Sequence, residues 1–134
     1  MSPRFLVDTH IAVRWLIDTK RLSREQVRAL EGAVRRAEPV ALSAMSLLEV
    51  AMLAADGKLK LIIRLDEFFD KLQANPVFQI LPLTYEVATE VATLGRSLRD
   101  PSDRVIVATA RVHRLRLVTS DQRIIDSKLV PVVE

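Results

Sequence analysis

The sequence contains no cysteine and only two histidines. Without cysteine there is no disulfide framework and no thiolate metal site. No apolar run approaches the ~20 residues that a membrane-spanning helix needs. Charged residues make up 28% of the chain, which excludes both a membrane-embedded and a disordered polypeptide. The start runs directly from an apolar strand pattern, Arg4 to Val7, into an aspartate. It lacks the charged opening, long apolar stretch and small-residue cleavage site of a secretory signal, so the expected compartment is the cytoplasm. Internal repeats, low-complexity tracts and linkers are also missing. What is present is 134 residues, 49% of them hydrophobic, enough for one domain over 1–134 with a real core. The net charge of +3 and the pI of about 9.7 are mildly basic. That balance points only weakly to nucleic acid. It gains weight if several acids are gathered in one pocket, because the remaining surface is then more basic than the total.

Hydrophobic periodicity divides the chain into short strands and amphipathic helices. Residues 4–8 form a buried strand ending on an aspartate, and Ala12, Trp15 and Leu16 follow at helical spacing. Ser23 and Gln26 match a capping box ahead of Val27, Leu30 and Val34, and this helix ends before Pro39. Val40 to Leu42 is a strand. Ser43 or Ser46 opens a helix whose expected buried stripe is Met45, Leu48, Met52 and Ala55, with Gly57 as its stop. Residues 65–73 are amphipathic and Asn75-Pro76 ends them. Phe78 to Leu81 is a strand. Thr84 caps a helix expected to carry Val87, Val91, Leu94 and Leu98. Asp100-Pro101-Ser102-Asp103 turns into a helix reaching about His113, Arg116 to Thr119 is a strand, and Leu129 to Val133 is an edge strand that tolerates Pro131. The alternation predicts an α/β fold, a three-layer α/β/α sandwich around a parallel sheet.

Four acids fall at informative places. Asp8 ends the first strand, Asp121 follows the Arg-Leu-Val-Thr strand, and Asp103 lies in the first turn of a helix. Glu49 sits beside the apolar stripe of its helix. Ligands of an open parallel sheet bind at the carboxyl ends of its strands, where strand order reverses. Carboxylates gathered there repel one another unless a cation holds them. Oxygen ligands without cysteine or a histidine pair suit Mg²⁺ or Mn²⁺. Such an ion can position a water, lower its pKa and neutralise phosphate charge, which is chemistry for phosphodiester hydrolysis. Each acid also has a structural reading. Asp8 could cap the next helix, Asp103 could be a helix N-terminal acid, Asp121 could belong to a turn, and Glu49 could be an edge residue reaching for solvent.

Six segments together resemble the PIN-domain ribonucleases of the VapC toxin type. They are Phe-Leu-Val-Asp-Thr-His (5–10), Leu-Ser-Ala-Met-Ser-Leu-Leu-Glu-Val-Ala (42–51), Gly-Lys-Leu-Lys-Leu (57–61), Leu-Pro-Leu-Thr (81–84), Asp-Pro-Ser-Asp-Arg-Val-Ile-Val-Ala-Thr-Ala (100–110) and Leu-Val-Thr-Ser-Asp (117–121). The resemblance implies a Mg²⁺- or Mn²⁺-dependent endoribonuclease acting on single-stranded RNA. It implies a homodimer held in a larger hetero-oligomer by a VapB-type antitoxin that doubles as a DNA-binding repressor. Asp8, Glu49, Asp103 and Asp121 become the catalytic and metal-binding acids, and Asp100 an additional acid near the metal. Thr9, Ser46 and Thr119 or Ser120 become hydroxyl neighbours that orient carboxylates or waters. Two positions depart from many relatives: Leu98 stands where a histidine is common, and Leu48 where a tryptophan is.

RNA phosphates need cations beside the acids. Arg99 and Arg104 flank the Asp-Pro turn, and Arg14 follows Asp8 by about one and a half turns. Arg104 could instead pair internally as structure. Arg24, Arg28 and Arg35 share a helix face that could equally be a solvated surface. His10 is expected to support Asp8 by packing or hydrogen bonding, and His113 to be structural or solvated. One Trp, one Tyr and four Phe leave few stacking platforms, which favours recognition by RNA shape or loops. The rival reading is a catalytically inactive PIN-like module that binds antitoxin and operator only. The complete acid set argues against it.

Overall fold

The computed structural model describes residues 2–58 and 63–134. Leu59, Lys60 and Leu61 of the Gly-Lys-Leu-Lys-Leu segment lie outside these residues. The elements run β1 (Phe5–Val7), α1 (Thr9–Ile17), α2 (Arg24–Arg35), β2 (Val40–Ser43), α3 (Ala44–Ala55), α4 (Leu65–Ala74), β3 (Phe78–Leu81), α5 (Tyr85–Thr93), α6 (Pro101–His113), β4 (Arg116–Val118), α7 (Gln122–Ser127) and β5 (Val132–Val133). The five strands pair in the order β3-β2-β1-β4-β5, all parallel. No helix among the described residues is long and apolar enough to cross a membrane.

Parallel strands covered on both faces read as continuous apolar runs, and side chains then alternate between the two cores. Leu6, Ala41 and Leu117 point to one side, where they meet Leu94, Leu98, Ile106 and Ala110. Phe5, Val7, Val40, Leu42 and Val118 point to the other, against Ile11, Ala12, Leu30, Ala33 and Leu72. This is the predicted three-layer arrangement: α5 and α6 cover one face, and α1, α2 and α4 cover the other.

The middle of α6 is buried continuously from Val105 to Ala110. Val105, Ile106 and Val107 are poor helix formers, each costing roughly 0.5 kcal/mol against alanine. Burying each side chain returns about 1.5–3 kcal/mol, so packing decides. The Thr109 hydroxyl in the same run donates to Val105 O at 2.7 Å and is thereby satisfied.

Three helical expectations are corrected. The α2 box forms as predicted, but the helix buries Gln26, Leu30 and Ala33, and Val34 is exposed. In α3 most of the expected stripe faces outward: Leu48, Met52 and Ala55 are exposed, only Met45 packs against the core, and Ser46 and Val50 are buried instead. Helix α5 stops at Thr93, because Gly95 turns with a φ of +73° and the chain loops back to bury Leu98. Helix α7 is an element the periodicity did not reveal.

Candidate active site

β1 lies between β2 and β4, so the direction of strand addition reverses beside it. Asp8 leaves the end of β1, and its N–H still donates to Val118 O of β4 at 2.9 Å. Its Oδ1 accepts from the Thr9 N–H at 2.8 Å and caps α1. Its Oδ2 accepts from the Thr119 hydroxyl at 2.7 Å. The oxygen of that hydroxyl accepts from the Asp121 N–H at 3.0 Å. Asp121 caps α7 through the Arg123 N–H at 2.9 Å, and Asp100 caps α6 through the Asp103 N–H at 3.2 Å. Capping and clustering therefore coincide in Asp8, Asp100 and Asp121. Each cap uses one carboxylate at a helix start, where free N–H groups and the helix dipole offset negative charge.

Glu49 arrives from α3 and is tied to the end of β1 by Thr9. The Thr9 hydroxyl donates to Glu49 Oε1 and lies 2.8 Å from Ser46 Oγ. A cavity of about 240 Å³ is lined by Asp8, Thr9, Glu49, Asp100, Asp103 and Asp121 together with His10, Arg14, Arg21 and Arg123. The structure thus brings all five candidate acids to one place. Thr9 and Thr119 touch them directly, whereas Ser46 reaches them only through the Thr9 hydroxyl. Ser120 acts on the loop instead: its Oγ accepts from Gln26 Nε2 at 2.9 Å and its N–H donates to His10 Nε2 at 3.0 Å.

The electrostatics follow from this crowding. Asp103 is 6% exposed, and its Oδ2 is buried without a hydrogen-bond donor. Burial first, then Asp100, Asp8 and Asp121, push its carboxyl up to about 7, against the pull of Arg123. Glu49 is raised chiefly by burial and opposed by the Thr9 hydrogen bond. Asp121 is held low, first by its side-chain hydrogen bond from Arg123. His10 is lowered by burial against the pull of Asp8. Because Nε2 accepts from an amide, the ring is neutral with its hydrogen on Nδ1, which lies 3.5 Å from Asp8 Oδ2. Among the described residues no three acids or histidines are closed into a finished metal-ligand group. The donor set nonetheless suits a hard divalent cation: it is all oxygen, and one buried carboxylate oxygen is without a donor.

The basic residues need correction. Arg104 is turned away from the cavity and donates to Gly95 O (2.7 Å), Leu98 O (2.5 Å) and Val91 O (2.8 Å), so it clamps the α5–α6 loop. Arg99 is exposed and does not line the cavity. Arg14 does line it. Arg28 and Arg35 pair with Glu25 and Glu31 on the surface of α2. His113 is exposed. Arg21 and Arg123 line the cavity unforeseen. Arg21 lies in a short 3₁₀ turn (Thr19–Arg21) inside a segment that reads only as a polar break, and Arg123 belongs to the six-residue α7, too short to show periodicity.

A family model described as the PIN domain matches residues 5–128. Ribonuclease VapC22 of Mycobacterium tuberculosis (strain ATCC 25618 / H37Rv) is 34% identical over 120 residues, covering 89% of this chain and 88% of that protein. Among solved structures, FitAcB from Neisseria gonorrhoeae superposes with a TM-score of 0.70 at 24% identity, covering 97% of this chain and 96% of that one. VapBC2 from Rickettsia felis, bound to a DNA fragment from their promoter, superposes with a TM-score of 0.70 at 16% identity, covering 98% and 97%. Both structural likenesses concern the fold.

Proposed function

Because this chain belongs to the PIN-domain family, we propose that it is a Mg²⁺- or Mn²⁺-dependent endoribonuclease, the toxin of a toxin–antitoxin pair. The observation that carries the metal-site reading is Asp103: a buried carboxylate oxygen without a donor, in a cavity shared with four other acids. The name of the ribonuclease relative supports the substrate class.

Asp8, Glu49, Asp103 and Asp121 would hold the cation, with Asp100 beside them at the start of α6. Bound there, it would supply a water of lowered pKa and charge neutralisation at a phosphate. The protein's own part is to fix the carboxylates. Thr119 holds Asp8 Oδ2, Thr9 holds Glu49, and neutral His10 presents Nδ1–H towards Asp8. Arg14 and Arg21, on the same cavity, are placed to receive the flanking phosphates of RNA.

The partner is a VapB-type antitoxin, a reading supported by structural neighbours that are complexes of this kind. An apolar groove of about 600 Å³ lined by Trp15, Leu16, Val34 and Val77 suits an amphipathic antitoxin segment. The outward Leu48 and Met52 of α3 suit a homodimer contact.

Cleavage of single-stranded RNA by the purified protein, with and without EDTA, tests the function. We expect EDTA, Asp8→Asn and Asp103→Asn each to abolish cleavage while circular dichroism is unchanged. If Asp8→Asn cuts as fast as wild type with metal present, the site is elsewhere.

A further inference from the structure

The cations around the acidic cavity are not equivalent. The Arg14 guanidinium donates a long hydrogen bond to Ser120 Oγ, at 3.5 Å. Arg123 instead lies on the acids themselves. Its Nε is 3.3 Å from Asp121 Oδ1, and its Nη2 is 3.0 Å from Asp121 Oδ2. The same Nη2 is 3.5 Å from Asp103 Oδ2, the buried oxygen that lacks a hydrogen-bond donor. One guanidinium therefore spans two carboxylates delivered by different elements, α6 and the start of α7.

The fold does not require this contact. The Arg123 backbone N–H already completes the α7 cap at 2.9 Å, with no help from the guanidinium. The side chain is 71% exposed, so it can leave along its own flexible stem. Yet the oxygens it neutralises are among those assigned to the cation. A divalent ion coordinates carboxylate oxygens at about 2.0–2.1 Å, closer than any guanidinium hydrogen bond, and a guanidinium charge already resting on the same oxygens opposes its approach.

We propose that Arg123 is a displaceable internal counter-ion, which neutralises Asp103 and Asp121 in the metal-free protein and competes with the divalent cation for them. Metal affinity is thereby set below what the acids alone would give. The inference rests on the metal-site reading above, and its test separates the two.

Mn²⁺ binding is measured by titration calorimetry on the full chain for wild type, Arg123→Ala, Arg123→Gln and, as a control for net charge far from the cavity, Arg35→Ala. Among the described residues Arg35 pairs with Glu31 alone, at the surface. The expected result is that Arg123→Ala and Arg123→Gln bind Mn²⁺ about two- to fivefold more tightly than wild type and Arg35→Ala, the upper part of the range an exposed ion pair supplies. The rise in Tm on adding saturating Mn²⁺ should be larger in the two Arg123 variants. Equal affinity in all four proteins, or weaker binding in the Arg123 variants, overturns the counter-ion role and leaves the metal site standing. No Mn²⁺ binding in any of them overturns the metal site and the inference with it.

Discussion

The Thr119 hydroxyl donates to Asp8 Oδ2 at 2.7 Å, joining the ends of the two strands between which the sheet changes direction. Thr119 is fully buried and Asp8 nearly so. Removing the hydroxyl leaves a buried carboxylate oxygen short of a partner and also releases the Asp121 N–H. Thr119→Val keeps the shape and deletes only these bonds. RNA cleavage is expected to fall about 10- to 100-fold, the range found when a partner of a metal ligand is lost. Thr119→Ser, which restores the hydroxyl, should recover most of it. Wild-type activity in Thr119→Val would show that Asp8 needs no such support.

Asp103 links function to stability. Its folded-state carboxyl stands at about 7, against an ordinary value of 3.8. The folded protein therefore binds more protons than the unfolded chain between these values, and stability falls as pH rises through that window. Above pH 7 the full penalty applies. At about 1.4 kcal/mol per pH unit the rise sets a ceiling near 4 kcal/mol. Asp103→Asn, measured in EDTA, should be more stable than wild type at pH 8 by about 1–2 kcal/mol and should lose the difference towards pH 4. A variant less stable than wild type at pH 8 contradicts the assigned cause.

The parallel sheet with a core on each face was legible because short apolar strands alternating with amphipathic helices leave few other arrangements. Asp8, Asp103 and Asp121 were legible by position, beside a strand end or at a helix start, Glu49 by its place along a helix, and Asp100 only through the family resemblance. What was not legible depends on distant contacts. Leu48 and Met52 have core-forming chemistry, yet they face away from it because α3 docks on α1 and α6 through its other side. Arg104 lies next to Asp103 in sequence, but a helical step turns it towards three carbonyls, one at the end of α5 and two in the α5–α6 loop. Arg123 was hidden because its helix is one and a half turns long.

The two arginines that flank the Asp-Pro turn should consequently behave differently. Arg104 holds three carbonyls, and bonds from a charged donor contribute about 1.5–3 kcal/mol each at most. Arg104→Ala is expected to destabilise the protein by about 2–4 kcal/mol in urea unfolding. Arg99→Ala should change stability by less than about 0.5 kcal/mol, as for an ordinary surface site. Equal effects would mean that the loop does not depend on the clamp.

Gln26 is the buried residue through which α2 reaches the site. It is fully buried, and its two ends do separate tasks. Oε1 accepts from the Ser23 N–H at 2.9 Å and closes the capping box. Nε2 donates to Ser120 Oγ at 2.9 Å and reaches Thr119 O at 3.4 Å. Ser120 in turn supplies the N–H that keeps His10 Nε2 an acceptor. Gln26→Glu preserves the acceptor for the cap but removes the donor to Ser120, whereas Gln26→Met removes both. Gln26→Met should therefore lose about 1–3 kcal/mol of stability, the cost of opening a cap and leaving buried groups unpaired. In Gln26→Glu the cap acceptor survives, while the donor to Ser120 is lost and a buried carboxylate faces Thr119 O, so the change falls on the Thr119–Ser120 loop. We expect kcat to fall more than KM rises, because Asp8, His10 and Asp121 are displaced together while Arg14 and Arg21 keep their places. A variant that loses stability but cleaves normally would make Gln26 a part of the scaffold alone.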